Sequence, residues 1–276
     1  MEMIGLIAGN GSFPLAFARE AKKRGYEVAA VAHRGETDDR LTSEVASLDW
    51  IRVGQLGAMI RAFQRRGVSR AVMAGGINKV RSLARLRPDL RGIAFLARAV
   101  SLGDDALLRA LAAELEKEGI QIVPSTTFLE RLLVVSGHIA GPVPPPRALA
   151  DIRVGVEALA GIGHLDIGQA VVVENGAVLA VEAIEGTDEM IRRAAGFTHG
   201  KAVVVKAAKK GQDLRFDVPA AGPRTIESMA RSGALVLALQ AGVAIILEGD
   251  ELTTRARAEG VCVVGFDEGG EVNGLG

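Results

Sequence analysis

Short apolar runs separated by glycine turns and amphipathic stretches set the rhythm of the first half of the chain. Ile4 to Ala8 reads as a strand, Gly9 to Ser12 as a tight turn, Pro14 to Arg24 as a helix with proline in its first turn, and Val28 to Ala32 as the next strand. Ala71 to Ala74 predicts a short buried strand ending in Gly75 and Gly76. From Asp105 to Glu118, Leu107, Leu108, Leu111 and Leu115 fall on one helical face, Gly119 stops the helix, and Ile120 to Val123 resumes the sheet. Strands and helices alternating at these lengths predict a Rossmann-like, doubly wound α/β domain over residues 1–134, with ligands at the carboxyl ends of its strands.

The pattern changes near Gly137. Gly141, Pro142, Pro144, Pro145 and Pro146 read as a stiff, extended Pro-rich linker, residues 135–150, that can be neither helix nor central strand. Residues 151–276 read as a C-terminal mixed α/β domain. Ala170 to Val173 and Val178 to Ala183 flank Glu174, Asn175 and Gly176, a hairpin signal. Ala202 to Val205 and Leu214 to Val218 add strands. Thr225 to Ser232 and a later helix then lead to closing strands at Val243 to Leu247 and Val261 to Gly265. No repeat or low-complexity tract interrupts this order.

Composition narrows the classes. The 276 residues are 49% hydrophobic and 24% charged, with formal net charge +0, so the basic excess of a nucleic-acid binder is absent. The longest apolar run, Ala234 to Leu247, is broken by Gln240 and falls short of the roughly 18 to 20 residues of a spanning helix. The N-terminus enters a strand directly, without the basic region of a secretory leader, and the reading is cytoplasmic. The single cysteine, Cys262, lies in an apolar run and reads as a buried thiol in a reducing compartment.

Chemistry concentrates between Glu182 and Asp217. Glu182, Glu185, Asp188, Asp213 and Asp217 could hold a hard cation, and Lys206, Lys209 and Arg215 supply positive charge for phosphate oxygens. Thr187 or Asp188 could equally cap a helix beginning at Glu189, which accounts for Asp188 but not for Glu182. Val178 to Val181 run without polar alternation, as a strand buried on both faces would, so Glu182 needs a cation or lysine nearby. In Gln212 to Pro219 a strand period of two sets Asp213, Arg215 and Asp217 on one face, opposite Leu214, Phe216 and Val218. In a straight strand Asp213 and Asp217 stand about 13 Å apart, too far to share one ion, so their roles differ. Asp217, before Pro219, is favoured as metal ligand or water-orienting base. Arg215 bridging both acids across a solvated face is the structural alternative.

The first glycine turn invites a nicotinamide reading, which fails in detail. Gly9 and Gly11 match the start of GxGxxG, but Pro14 replaces the third glycine, and the second strand ends in His33 and Arg34 rather than an acid for a ribose. What survives is a turn at a helix N-terminus, Gly9, Asn10, Gly11 and Ser12, offering backbone N–H groups to a phosphate, with Gly75, Gly76, Asn78 and Lys79 at the same sheet edge. The four histidines, His33, His138, His164 and His199, lack metal spacing and read as loop residues, and Ser12 has no GxSxG context. Oxygen ligands beside lysine and arginine point to Mg²⁺ and phosphoryl chemistry. The rivals kept open are an NAD-type oxidoreductase and a non-catalytic nucleotide-sugar-binding module.

Four long motifs, in order, match one family: GLIAGNGxFP from Gly5, GDDALLRA from Gly103, EAIEGTD from Glu182, and KxxKxGQDxRFDxP from Lys206 followed by GPxTI. From Gly5 to about Gly265 the chain resembles the UDP-2,3-diacylglucosamine pyrophosphatases of lipid A biosynthesis, the single-chain type unrelated to calcineurin-like phosphatases. The resemblance implies a magnesium-dependent hydrolase, with Mn²⁺ as substitute, that cuts the diphosphate of UDP-2,3-diacylglucosamine to UMP and 2,3-diacylglucosamine 1-phosphate (lipid X). On this reading the UDP-sugar lies between the domains. Asp217, Asp213 and Asp188 are catalytic candidates, with Asp217, Asp213 and Glu182 at the metal. Gln169, Gly186, Thr187, Lys206, Lys209 and Arg215 join the glycine turns and Lys79 in binding substrate. A lipid substrate also gives meaning to Arg81, Arg85, Arg87, Arg91 and Arg98 among Leu83, Leu86, Leu90, Ile93, Phe95 and Leu96. This stretch reads either as a peripheral contact with the inner membrane surface or an acyl channel, or as two ordinary surface helices broken at Pro88. A homo-oligomer such as a dimer is compatible with this reading, and the sequence does not fix the oligomeric state.

Overall fold

The computed structural model describes residues 2–78, 86–99, 103–209 and 211–275. The chain forms two compact units: residues 1–130 with 213–217, and residues 131–212 with 218–276. Lys79, Arg81, Leu83 and Arg85 lie outside the described residues.

In the first unit, strands β1 (Met3–Ala8), β2 (Glu27–His33), β3 (Ser47–Ile51), β4 (Arg70–Ala74) and β5 (Gln121–Ile122) form an all-parallel sheet in the order β3-β2-β1-β4-β5. Helices α1 (Phe13–Lys23), α2 (Leu56–Gln64), α3 (Leu90–Ala99) and α4 (Asp104–Glu116) connect these strands or flank the sheet. The apolar runs make both faces of the central strands bury: Ile7, Ala29, Val31, Ala71 and Met73 share a core with Met59, Ile60 and Phe63 of α2 and Leu115 of α4. Alternation sends Ile4, Leu6 and Ala8 to the other face, where α1 buries Leu15, Phe17, Ala18 and Ala21. The strand order reverses between β1 and β4, so the carboxyl ends of these neighbours define the switch point at which open α/β sheets bind ligands.

The second unit carries a mixed six-stranded sheet, order β6-β13-β11-β9-β7-β8. Its strands are β6 (Gly137–Ala140), β7 (Ala170–Glu174), β8 (Ala177–Val181), β9 (Ala202–Lys206), β11 (Ala234–Gln240) and β13 (Cys262–Phe266). β10 (Ala220–Ala221) and β12 (Ile245–Ile246) pair separately. One face is covered by α5 (Pro146–Gly163) through Ile152 and Leu159. The other is covered by α6 (Thr187–Ala194), α7 (Pro223–Ser232) and α8 (Gly249–Ala258), through Met190, Ile191, Ile226, Met229, Leu252 and Ala256. Asn175 and Gly176, with φ of 53° and 77°, make the expected tight hairpin, and buried Asp151 accepts hydrogen bonds from both of their backbone N–H groups.

Several expectations are corrected. The proposed linker is partly regular structure: Gly137–Ala140 pairs antiparallel with β13, and Pro146 opens α5, where a missing N–H costs nothing. β8 is an edge strand with Val178 42% exposed, not a strand buried on both faces. α6 starts at Thr187 behind Gly186, without a side-chain cap. His33 ends β2 and is buried, and His138 lies in β6, so neither is a loop residue. Residues 213–217 are not a strand. Asp213 accepts the backbone N–H of Arg215 and its carbonyl accepts that of Phe216, closing a turn that buries Phe216 and leaves Leu214 39% exposed. β3, α2 and β11 are elements the sequence reading did not assign.

Cys262 is 1% exposed, and burial pushes its thiol up to about 12. Among the described residues no helix is long and apolar enough to cross a membrane.

Gly155 of α5 lies against Val205 of β9, where an added Cβ would meet Val205 Cγ2 at 2.4 Å. Alanine gains about 1 kcal/mol of helix propensity over glycine, whereas overpacking costs about 1–3 kcal/mol. Gly155→Ala is therefore expected to destabilise the second unit by about 1 kcal/mol, read as a lower urea midpoint. A raised midpoint would refute this packing.

Candidate functional site

At the switch point of the first unit, two glycine turns touch backbone to backbone. Gly9 N–H donates to Ala74 O at 2.8 Å and Asn10 N–H to Gly76 O at 2.7 Å. A Cβ on Gly9 would lie 2.3 Å from Gly76 O, and one on Gly75, whose φ is +82°, would lie 2.3 Å from Asn10 O, so only glycine permits this approach. Ser12 is the N-cap of α1 but makes no side-chain cap, and Pro14 falls in the first turn. The orphan N–H groups there and the helix dipole suit an anion. The structure thus brings Gly9, Asn10, Gly11, Ser12, Gly75 and Gly76 together, as the sequence proposed. It also places there an acid the sequence reading passed over: Glu36 Oε2 accepts from Asn10 Nδ2 at 3.2 Å and from Asn78 N–H at 3.0 Å.

The segment 213–217 belongs to this unit, and the central and C-terminal motifs meet in it. Asp105 Oδ1 accepts the backbone N–H of Asp213 at 3.2 Å, and Asp105 also pairs with Arg109. Asp213 grips Arg215 through Nε and Nη2, at 2.8 Å for the latter, and Arg215 also reaches Glu116 at 3.6 Å. The guanidinium stands 4.9 Å over the Phe216 ring. Hydrogen bonding from the Arg215 side chain, helped by its backbone N–H and by Arg109, outweighs burial and holds the Asp213 carboxyl below its ordinary range. Asp213, Arg215 and Asp217 therefore do not line one strand face.

The second unit gathers its own cluster where β8 and β9 end and α6 begins. Lys206 is 7% exposed and Glu182 8%. Lys206 Nζ donates to Thr187 Oγ1 at 2.8 Å, whose hydroxyl donates to Glu182 Oε1 at 2.7 Å, and Gln169 N–H donates to Glu182 Oε2 at 3.2 Å. Glu182 thus has the lysine its burial required, through a threonine relay. Asp188, in the first turn of α6, pairs at 3.6 Å with Arg224 in the first turn of α7, a residue the sequence reading missed although GPxTI contains it. Glu185 is tied to Arg193 at 2.6 Å, and Lys209 to Asp166.

Among the described residues no three His, Cys, Asp or Glu side chains form a group that could hold a metal ion. Of the trio Asp217, Asp213 and Glu182 expected at the metal, two already hold other groups. Asp213 is engaged by Arg215, and Glu182 by Thr187 and Gln169.

An open parallel sheet with paired glycine turns at its switch point, together with a second α/β unit holding a buried lysine–threonine–glutamate relay, has the parts of an α/β enzyme. Residues 3–132 match the model of the LpxI N-terminal domain and residues 135–264 that of the LpxI C-terminal domain. The chain belongs to the LpxI family. It is 34% identical over 278 residues, 97% of this chain and 98% of the relative, to the UDP-2,3-diacylglucosamine pyrophosphatase LpxI of Caulobacter vibrioides. Among solved structures, the biotin carboxylase–ATP analogue complex of Campylobacter jejuni aligns over 70% of this chain and 41% of that one, at 14% identity and TM-score 0.28. The biotin carboxylase domain of Hydrogenobacter thermophilus 2-oxoglutarate carboxylase gives 70% and 40%, at 13% and 0.27. The chain spans about two fifths of those proteins, and likeness at these scores carries no argument.

Because the Asp213 carboxyl is depressed, its pairing contributes stability above the unfolded carboxylate range, near pH 4, and loses it as pH falls through the lower folded value. Asp213→Asn is expected to flatten the acid limb of the stability–pH curve below about pH 4. An unchanged limb would show that the pair is not formed.

Proposed function

We propose that this LpxI-family hydrolase cleaves the diphosphate of UDP-2,3-diacylglucosamine in a Mg²⁺-dependent reaction, releasing UMP and 2,3-diacylglucosamine 1-phosphate in lipid A synthesis. The observation that carries the reading is the full-length likeness to a pyrophosphatase of that name. We assign candidates to each task. The glycine crevice of the first unit suits the nucleotide diphosphate, because its walls are backbone and a helix N-terminus, and the Glu36 carboxylate at its lip is engaged by Asn10 and Asn78. The Lys206–Thr187–Glu182 relay presents a cation whose position is fixed by its partners. Asp217 and Asp188 are the carboxylates we assign to the attacking water. Arg215 and Lys209 act through the loops their ion pairs hold, and Lys79 keeps its substrate-binding assignment on sequence alone.

Magnesium commonly binds through one or two carboxylates together with substrate phosphates and waters, so the ion this reading calls for needs no protein cluster of three. Where it binds, it offsets phosphate charge. Peripheral contact with the inner membrane surface, cytoplasmic residence and a homodimer belong to the same proposal. Leu90 and Ile93 of α3, 86% and 53% exposed, support the first, although Arg91 and Arg98 beside them are paired with Glu118 and Glu114.

The decisive assay is purified protein with UDP-2,3-diacylglucosamine and Mg²⁺, followed for UMP. Activity is expected to vanish in EDTA and return with Mg²⁺ or Mn²⁺ but poorly with Zn²⁺, since the candidate ligands are hard oxygens. No UMP under any of these conditions would sink the reading, and full turnover in chelator would remove the metal from it.

Asp217→Ala is expected to keep the fold and substrate affinity while losing more than tenfold in kcat, because a group acting on water in the transition state lowers kcat rather than raising KM. A loss below tenfold, about 1.4 kcal/mol, moves the assignment to Asp188.

A further inference from the structure

The loop after β2 is fastened to the end of β1 from two sides. His33 Nδ1–H donates to Ala8 O at 2.9 Å and Thr37 Oγ1 donates to the same oxygen at 2.7 Å, while Thr37 Oγ1 accepts His33 N–H at 2.9 Å. A carbonyl has two lone pairs, so both donors are served. His33 and Thr37 are each 7% exposed. Burial lowers the His33 pKa, which keeps the ring neutral and its Nδ1–H available. Between these anchors stands Glu36, whose single oxygen Oε2 receives the Asn10 side-chain amide from the first glycine turn and the Asn78 backbone amide from the stretch after the second.

Glycine turns allow the close backbone approach but do not hold it in one conformation, because glycine has the most backbone freedom to lose. Two backbone hydrogen bonds, Gly9 to Ala74 and Asn10 to Gly76, set the spacing at the strand ends. The outer lip, Asn10 and Asn78, is set by the Glu36 carboxylate, a charged acceptor roughly twice as strong as a neutral one. We propose that Glu36 is a positioning residue of the nucleotide site, clamping Asn10 to the Gly75–Asn78 turn so that the remaining backbone donors of the first glycine turn, at the N-terminus of α1, meet a nucleoside diphosphate in a fixed arrangement. This rests on the reading of the crevice as the nucleotide site. It assigns Glu36 no contact with the reacting atoms.

The test is titration of the full chain with UDP, together with kcat and KM for UDP-2,3-diacylglucosamine, in wild type, Glu36→Ala and Glu36→Gln. Glu36→Ala is expected to weaken UDP binding and raise KM at least tenfold with kcat within threefold. Glu36→Gln, which keeps an acceptor oxygen, stays within threefold of wild type. In the Asn10→Ala background the effect of Glu36→Ala should largely disappear, because the two groups act as one clamp. A general loss of folding would not produce that coupling, or rescue by glutamine. UDP affinity and KM unchanged in Glu36→Ala, or kcat lost at constant KM, overturns the inference. Should Glu36→Ala not fold, Asn10→Ala decides: it must raise KM at steady kcat, and an unchanged KM overturns the clamp. A wild type that binds UDP but forms no UMP refutes the hydrolase reading and leaves the clamp to the titration. A wild type that does not bind UDP refutes the crevice assignment and the clamp together.

Discussion

A lysine ammonium at the end of a central strand, 7% exposed, is expensive unless its charge is answered, and the arrangement around Lys206 is what answering it requires. The partner is Glu182, equally buried, but the two are joined through the Thr187 hydroxyl, which accepts from one and donates to the other. That relay fixes where α6 must begin. Gly186, with φ +86°, turns the chain so that Thr187 is its first residue. It also fixes how closely β7 enters beside the end of β8. A Cβ on Gly168 would meet Glu182 O at 2.1 Å, so glycine there lets the Gln169 N–H reach the carboxylate. Two strand ends, a strand start and a helix start therefore depend on one polar chain.

The first unit solves its corresponding problem with backbone. Among the described residues its switch point holds no buried ion pair between β1 and β4; the two segments touch through glycine, and the first donates main-chain hydrogen bonds to the second. The fixed charges lie a layer outwards, at Glu36 and in the Asp105, Arg109, Glu116, Asp213 and Arg215 network on α4. That network explains why the central and C-terminal motifs, a hundred residues apart in sequence, belong to one compact unit. The Asp213 amide needs an acceptor where the chain turns, and Asp105 in the first turn of α4 supplies it.

Much of the fold was legible because local preference and tertiary structure agree. The apolar runs at β1, β2, β4, β7, β9 and β13, the proline of α1 and the Asn175–Gly176 turn all appear where pattern placed them. The failures have separate local causes. In residues 213–217 the alternation of polar and apolar side chains imitates a strand, but an aspartate two residues before an arginine offers its carboxylate to that arginine's own backbone and side chain, and the local turn wins. β3, read as Ser-Leu-Asp-Trp-Ile, is an edge strand with too little apolar contrast to stand out. β11 is the first half of the apolar run Ala234 to Leu247, bounded by Gly233 before it and by Gln240 at its end, a residue the sequence reading takes only as a break in a possible spanning helix. For the site, the sequence showed the crowding of charged residues between 182 and 217, yet spacing along the chain could not show that Glu182, Thr187, Lys206 and Gln169 share one cluster while Asp213 packs with α4.

This partition bears on which acid acts. A carboxylate that holds a fold element is not readily turned over to a substrate, because giving up its hydrogen-bond partner costs stability. Glu182 holds Thr187 and Gln169, Glu185 holds Arg193, and Asp213 holds Arg215. Each has its charge answered at hydrogen-bond distance. Asp188 differs: its pairing with Arg224 spans 3.6 Å, and the arginine side chain is 84% exposed, so a ligand could replace that interaction at little expense. The acids that were easiest to propose from sequence, because they sit in the densest charged words, thus in good part already hold partners at hydrogen-bond distance. The chemistry is better sought where a carboxylate's present partner is weak enough to be exchanged for substrate.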